Sequence, residues 1–268
     1  MRIRSNLVSL PTRLRLATSL LLRRSRLHWG MDPWLDIRTL LHGMGRPLDR
    51  RSVVFDVGAN LGQTARAVRR WLPNVDLHCY EPFPSTFRRL QAVRPRASLH
   101  QVGLSRRSGS ATMDPGVHHT CARIVADAAG AAEGHDPPVE VPVRTVDEEL
   151  GRLGLSRLEV LKIDVEGHEL DVLHGAEAAI RHDRIDLVLA ECRIGASGSL
   201  TQHVPIEALV AHLEPRGFRA MAYYTGAIAA DRGVHDGDVL MARIDRLDPG
   251  MYWGPCDVLG GDGVPFSD

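Results

Sequence analysis

From Ser52 onward, short apolar runs alternate with stretches whose apolar residues recur every three or four positions. Runs of the first kind read as strands, and stretches of the second kind as helices. Ser52–Val57 is the first predicted strand, and Gln63–Trp71 is its helix. Val75–Tyr80 is the second strand, and Ser85–Val93 the second helix. Pro82 and Pro84 hold that helix start back, because proline removes a backbone donor and clashes with the preceding turn. Ser98–Leu104 reads as a third strand, with Gly109–Met113 expected beside it as a short hairpin. Further on come a short alternating strand at Val139–Val143, a helix at Val146–Leu153 and an apolar strand at Leu158–Ile163. An amphipathic helix is expected over Gly167–Ile180, with Leu170, Leu173 and Ala176 turned inward. Ile185–Ala190, a helix at Ile206–Leu213, Phe218–Tyr223 and Asp238–Ile244 complete the series.

Strands that alternate with helices predict an α/β sheet with parallel strands. Seven of the predicted strands are major ones, and the last two are joined by a short loop. A short loop cannot make a parallel crossover, so the last strand is expected to run antiparallel to its neighbour. A mostly parallel seven-stranded sheet with one reversed strand, helices on both faces, is the Rossmann-like architecture of class I methyltransferases. Residues 114–138, rich in Gly, Ala, His and Pro, read as a lid or loop insertion. Residues 246–268 form a Gly/Pro-rich tail.

The first 50 residues differ in kind. Arginines stand at positions 2, 4, 13, 15, 23, 24 and 26, with no acid up to Leu27. Leu10, Leu14, Ala17 and Leu21 could form one helical stripe, so this segment is read as a basic, helical extension. It packs on the main domain, stays disordered or lies on an anionic membrane surface. No run approaches the roughly 20 apolar residues of a membrane span. The expected location is the cytoplasm, with peripheral membrane contact through the N-terminus.

Composition adds little to this picture except by exclusion. Lys+Arg and Asp+Glu are both 33, so the net charge of zero does not point to nucleic acid. Lys162 is the only lysine. The cysteines at 79, 121, 192 and 256 form no CxxC pair, which argues for a reducing compartment and against a zinc knuckle.

Chemistry concentrates where strands end. Val53–Val57 runs into Gly58-Ala59-Asn60-Leu61-Gly62, a glycine-punctuated turn before a helix, which is how a nucleotide-type site is built. The phosphate-binding GxGxxG pattern would need glycines where Asn60 and Gln63 stand. Asp56 would also repel a pyrophosphate. A cofactor with a cationic centre and an amino-acid end fits better, and S-adenosylmethionine is the candidate. Glu81 follows Gly62 by 81 − 62 = 19 residues. This matches the roughly 20-residue offset of an acid that accepts from a ribose hydroxyl pair. With Asp164 and Glu191, four predicted strand ends carry acids.

The run Val160–Glu169 places Lys162 inside an apolar strand, where it must pair with a carboxylate or emerge at an edge. Asp164 is a candidate general base or metal ligand. Glu166 and Glu169 suit the start of the following helix as caps. His168 is a candidate base. Two other groupings carry less. Asp136-Pro137-Pro138-Val139 is similar to the DPPY motif of nucleic-acid amino-methyltransferases, but it precedes a strand and lacks the aromatic ring. His118, His119, Cys121, His135 and Asp136 lack metal-ligand spacing.

Asp56–Gly62, Glu81-Pro82, Val143–Asp147, Lys162–Glu169 with Leu173–Ala176, and Glu191 together resemble the FkbM-type methyltransferase family. The resemblance covers roughly residues 52–192. It implies a class I methyltransferase domain at 51–245, S-adenosylmethionine as donor and an oxygen as acceptor, on a sugar or secondary metabolite. It also implies that Asp56, Gly58, Asn60, Gly62 and Glu81 contact the cofactor. Asp164, Glu166, His168 and Glu191 would then face a small-molecule or glycan acceptor. Asp164 with Glu191 is a candidate divalent-cation pair. The alternatives are a nicotinamide-dependent oxidoreductase and a non-catalytic, membrane-associated scaffold.

Overall fold

The protein is described here from a computed structural model, over residues 29–46, 51–114, 123–124, 138–194, 203–229 and 233–247. The stripe expected over Leu10–Leu21, the tail, and most of 114–138, including the His118–Asp136 grouping, lie outside the described residues.

The strands are β1 (Val53–Val57), β2 (Asp76–Tyr80), β3 (Ser98–His100), β4 (Gly103–Leu104), β5 (Gly109–Asp114), β6 (Arg123–Ile124), β7 (Val139–Arg144), β8 (Leu158–Ile163), β9 (Ile185–Arg193), β10 (Phe218–Ala229) and β11 (Gly233–Arg243). The main sheet has the order β10-β11-β9-β8-β1-β2-β3. β11 pairs antiparallel with both β10 and β9, while the other pairings in this sheet are parallel. The fold is therefore the Rossmann-like class I arrangement expected from the pattern. β8 is buried at all its positions, as a central parallel strand covered on both faces must be.

The helices are α1 (Pro33–Gly43), α2 (Gln63–Trp71), α3 (Pro84–Val93), α4 (Val146–Arg152), α5 (Glu169–His174), α6 (Glu177–Arg181) and α7 (Ile206–Leu213). Leu35, Ile37 and Leu40 of α1 pack in one core cluster with Val68 of α2, Leu90 of α3 and Val54 of β1. Val172, Ile180, Leu209 and Leu150, from α5, α6, α7 and α4, join the cluster with Phe55, Leu161 and Ile163. The sheet is sandwiched between these two layers.

The segment before residue 51 contributes more than an extension. Asp32 caps α1 by accepting from the Trp34 and Leu35 amides at 3.0 and 3.3 Å. Its other oxygen accepts the Trp71 indole N–H at 3.0 Å. Asp36, fully buried, accepts from the Tyr224 hydroxyl and the Gly30 amide, each at 2.7 Å. These bonds stitch the segment to α2 and β10.

Three element boundaries differ from the expectation. The expected third strand, Ser98–Leu104, divides into β3 in the main sheet and β4 in a second, four-stranded sheet of order β4-β7-β5-β6. Gly109–Met113 does form a strand, but it pairs antiparallel with β7 across the insertion and not with the preceding strand. A hairpin partner close in sequence is cheap to close, yet Val141 and Met113 bury together under Phe83 only in the observed pairing.

The helix expected over Gly167–Ile180 is two short helices, α5 and α6, broken at Gly175 and Ala176. At Gly175 a Cβ would stand 2.1 Å from the Ser105 carbonyl oxygen. The Asp147 carboxylate then caps α6, accepting from the Ala178 and Ala179 amides at 2.8 Å each. Periodicity does not report such a break, because both halves keep the same inward face. Gly175→Ala should destabilise the protein by about 1–3 kcal/mol through overpacking. Chemical denaturation would show it as a lower midpoint at unchanged slope.

Candidate functional site

β1, β2 and β8 end at an open cleft lined by Gly58, Asn60, Glu81, Asp164, Glu166 and His168. The second sheet closes one side through Leu104, Met113 and Val143. The floor is irregular backbone. Gly58, Asn60 and Gly62 have φ of +83°, +47° and +77°, and Glu166 and Gly167 across the cleft have φ of +55° and +103°. Left-handed backbone suits glycine and is tolerated by asparagine, whereas for Glu166 it is strained. Gly58 is further required by close approach, since a Cβ there would lie 1.8 Å from the Asp164 carbonyl oxygen.

Glu81 is buried at the end of β2 and lines the cleft. One carboxylate oxygen accepts from the Asn60 amide at 3.1 Å, and the other from the Phe83 amide at 2.9 Å. Each oxygen retains a second lone pair, so an oriented acceptor is presented to a ligand. Burial pushes the Glu81 carboxyl up to about 7, against the two backbone bonds that favour its charge.

Register places Asp56 of β1 opposite Lys162 of β8, so both point to the same side of the sheet. The Lys162 ammonium donates to Asp164 at 2.7 Å and lies 4.0 Å from Asp56. Lys162 thus finds its carboxylates inside the sheet and not at an edge. Burial works against its charge, but the neighbouring carboxylates outweigh this and hold the ammonium above its ordinary range. Burial raises Asp56 to about 6, with Lys162 opposing. Burial would likewise raise Asp164, yet the adjacent ammonium holds it below its usual value.

Glu191 on β9 is raised by burial, then by the charge of Asp164, with which it also shares a hydrogen bond. Burial and the neighbouring Asp164 charge thus favour the protonated form at Glu191, while Lys162 favours the ionised form at Asp164. His203 is buried, with its two ring nitrogens 3.3 Å from Glu191 and 4.0 Å from Glu166. The Arg193 guanidinium donates to the His203 carbonyl at 2.9 Å and pins this residue beside β9. His203 was not singled out in the sequence. A lone histidine outside any periodic element carries no signal until β9 and the residues before α7 come together.

His168 lines the cleft, and its Nδ1 lies 3.1 Å from an Asp171 carboxylate oxygen. Glu169 is fully buried but does not cap α5, whose N-terminus has no side-chain cap; it accepts instead from the Gly167 and Val204 amides, outside the helix, at 2.9 and 3.3 Å. Of the residues singled out for the cofactor, Gly58, Asn60 and Glu81 line the cleft. Asp56 and Gly62 are buried behind it, the first as partner of Lys162 and the second as the start of α2. Of those singled out for chemistry, Asp164, Glu166 and His168 line it, and Glu191 stands behind Asp164. Cys79 and Cys192 are free, buried thiols. Among the described residues, no helix is long and apolar enough to cross a membrane.

The chain matches the methyltransferase FkbM domain family over residues 56–219. It is 31% identical to the 31-O-demethyl-FK506 methyltransferase FkbM of Streptomyces tacrolimicus, over 68% of this chain and 78% of that protein. It is 28% identical to Methyltransferase 1 of Beauveria bassiana, over 54% of this chain and 66% of that protein. Identity to the 2-O-methyltransferase NoeI of Sinorhizobium fredii is 27%, over 49% of this chain. The chain spans less than two thirds of the length of the last two, 66% and 60%.

Lys162→Met leaves Asp56 and Asp164 without their buried counter-charge. The expected cost near neutral pH is about 3–5 kcal/mol. Without the ammonium both carboxyls titrate higher in the folded state than in the unfolded chain. The folded state then binds protons more tightly, so stability falls as pH rises and recovers in acid. Urea denaturation of the variant across pH would measure this, and a flat profile would contradict the charge pairing.

Proposed function

The chain belongs to the FkbM methyltransferase family, and we propose that it moves the methyl group of S-adenosylmethionine onto a hydroxyl oxygen of a sugar or secondary metabolite. The observation that carries this reading is the cleft itself. It combines bare, left-handed backbone at Gly58 and Asn60 with the oriented Glu81 carboxylate, and places Asp164, Glu166 and His168 opposite. Such an acid-rich cleft suits a cationic centre and disfavours the pyrophosphate of a nicotinamide dinucleotide. Two relatives named for O-methylation support oxygen as the acceptor atom.

S-adenosylmethionine supplies a sulfonium methyl that is already activated, so much of the protein's contribution is positioning. Glu81 accepts from the ribose hydroxyls, and the backbone of Gly58 and Asn60 leaves room for the methionine end. Asp164, kept ionised by Lys162, orients the acceptor by accepting from a hydroxyl next to the one that reacts, whose own proton points to His168. His168 takes the proton. The Asp171 carboxylate at its Nδ1 fixes the ring and favours the tautomer whose Nε2 accepts a proton. Glu191, protonated, holds Asp164 in place from behind.

Two measurements test this assignment. Calorimetry should show S-adenosylmethionine binding lost in Glu81→Ala. In the unsubstituted chain, affinity should weaken as pH falls below about 7, where Glu81 takes up a proton and one of its oxygens can no longer accept. Binding of NADH but not of S-adenosylmethionine would reverse the reading. With a methyl-labelled donor and an extract of the source organism as acceptor pool, His168→Gln should lower kcat by about 10²–10⁴-fold. Its cofactor affinity should be unchanged, and an undiminished kcat would remove His168 as the base.

A further inference from the structure

Behind the cleft wall, Glu169, Glu191 and His203 each present one ligand atom, and the three atoms lie within 4.8 Å of one another. Two features set this cluster apart from acids gathered on a surface. His203 is 6% exposed, and its Nδ1 is enclosed with no hydrogen-bond partner. Oε2 of Glu191, 3.3 Å away, is enclosed and unpartnered as well, because the contact lacks the directions of a hydrogen bond. A buried polar atom left unpaired costs about 1–3 kcal/mol, and here two such atoms point into the same space.

We propose that Glu169, Glu191 and His203 hold a divalent first-row cation of the Zn²⁺ or Mn²⁺ kind. Two carboxylates and an imidazole form a mixed oxygen and nitrogen set, and the imidazole favours such ions over Mg²⁺ or Ca²⁺. Glu166 stands 4.0 Å from Nε2 of His203, on the side away from Glu191. That is where a carboxylate orients a ligating imidazole. Glu169 is already fixed by the Val165 and Gly167 amides at Oε1 and by the Val204 amide at Oε2, and Oε2 keeps a lone pair for an ion.

The three ligands come from the first residue of α5, the end of β9 and the residues leading into α7. An ion there ties these segments together, and on binding it takes the place of the proton that Glu191 otherwise shares with Asp164. The site differs from the Asp164–Glu191 pair that the sequence offered, because Asp164 is committed to Lys162 and to Glu191 itself. It does not depend on the reaction being methyl transfer.

The test uses the full chain, stripped with a chelator and titrated with MnCl₂ and with ZnCl₂ by calorimetry. Electron paramagnetic resonance counts the bound Mn²⁺. One ion per chain is expected, with a rise in Tm. Glu191→Gln and His203→Asn should each weaken binding by about tenfold or more. Circular dichroism checks that Glu191→Gln, which keeps the side-chain shape, is folded. No saturable binding by the unsubstituted chain overturns the site. Binding that survives both substitutions at unchanged affinity also overturns it, because the ion then sits elsewhere. Titrating S-adenosylmethionine into the same samples separates the two readings. Cofactor without ion refutes this site alone, and ion without cofactor refutes the proposed function alone.

Discussion

Lys162 stands opposite Asp56 on the neighbouring parallel strand, and its ammonium reaches Asp164 at 2.7 Å at the strand's end. The other charges around the cleft are arranged about this buried cation. A charge taken out of water is tolerable only when paired, and the reverse holds for the carboxylates. With Lys162 in place Asp56 can sit in the sheet and Asp164 can stay ionised at the cleft. Asp164 in turn pushes the proton of their shared bond onto Glu191. Charge state is thereby passed along a row of strand ends, from β1 through β8 to β9, by direct contact.

The second determinant is backbone conformation. Left-handed residues follow β1 at Gly58, Asn60 and Gly62, and follow β8 at Glu166 and Gly167. The two turns approach so closely that the Asp164 carbonyl fills the space a side chain at Gly58 would need. This packing aims the Asn60 amide at Glu81 and holds its carboxylate in place. Glu81 is thus oriented by the same turn whose glycines leave the backbone bare, which couples the two sides of the cleft. The strain at Glu166 lies in the turn that carries His168 into the cleft and leads into α5 at Glu169.

Much of this was legible in the chain before any coordinates. Apolar runs such as Leu158–Ile163 can only be central strands, and the short link between the last two strands demanded one reversed strand. Acids at strand ends, the 19-residue step from Gly62 to Glu81 and a lysine within an apolar strand each pointed to the cleft by local arguments. Elements that depend on a distant neighbour were harder to read. Gly175 ends a helix because Ser105 lies against it. β5 pairs with β7 across the insertion. Pro33–Gly43 carries a buried stripe that reads as an appendage until Asp36 meets Tyr224.

The sequence by itself determined the alternation of strand and helix and the sheet's single reversal, and it marked acids near the strands' carboxyl ends, of which Asp56 and Glu191 lie within β1 and β9. These follow from periodicity and turn chemistry, which act over a few residues. Tertiary structure alone decided which of those acids line the cleft and which serve the sheet. Asp56 and Glu81 look alike in the chain, each an acid ending a strand. One is drawn inward by Lys162 across a strand pairing, while the other is turned to the cleft by two backbone amides. His203 acquires its place only when β9 and the approach to α7 are brought side by side. The difference is set by neighbours more than a hundred residues away in one case and about twenty in the other. Contacts at those separations are properties of the folded sheet, and no local pattern encodes them.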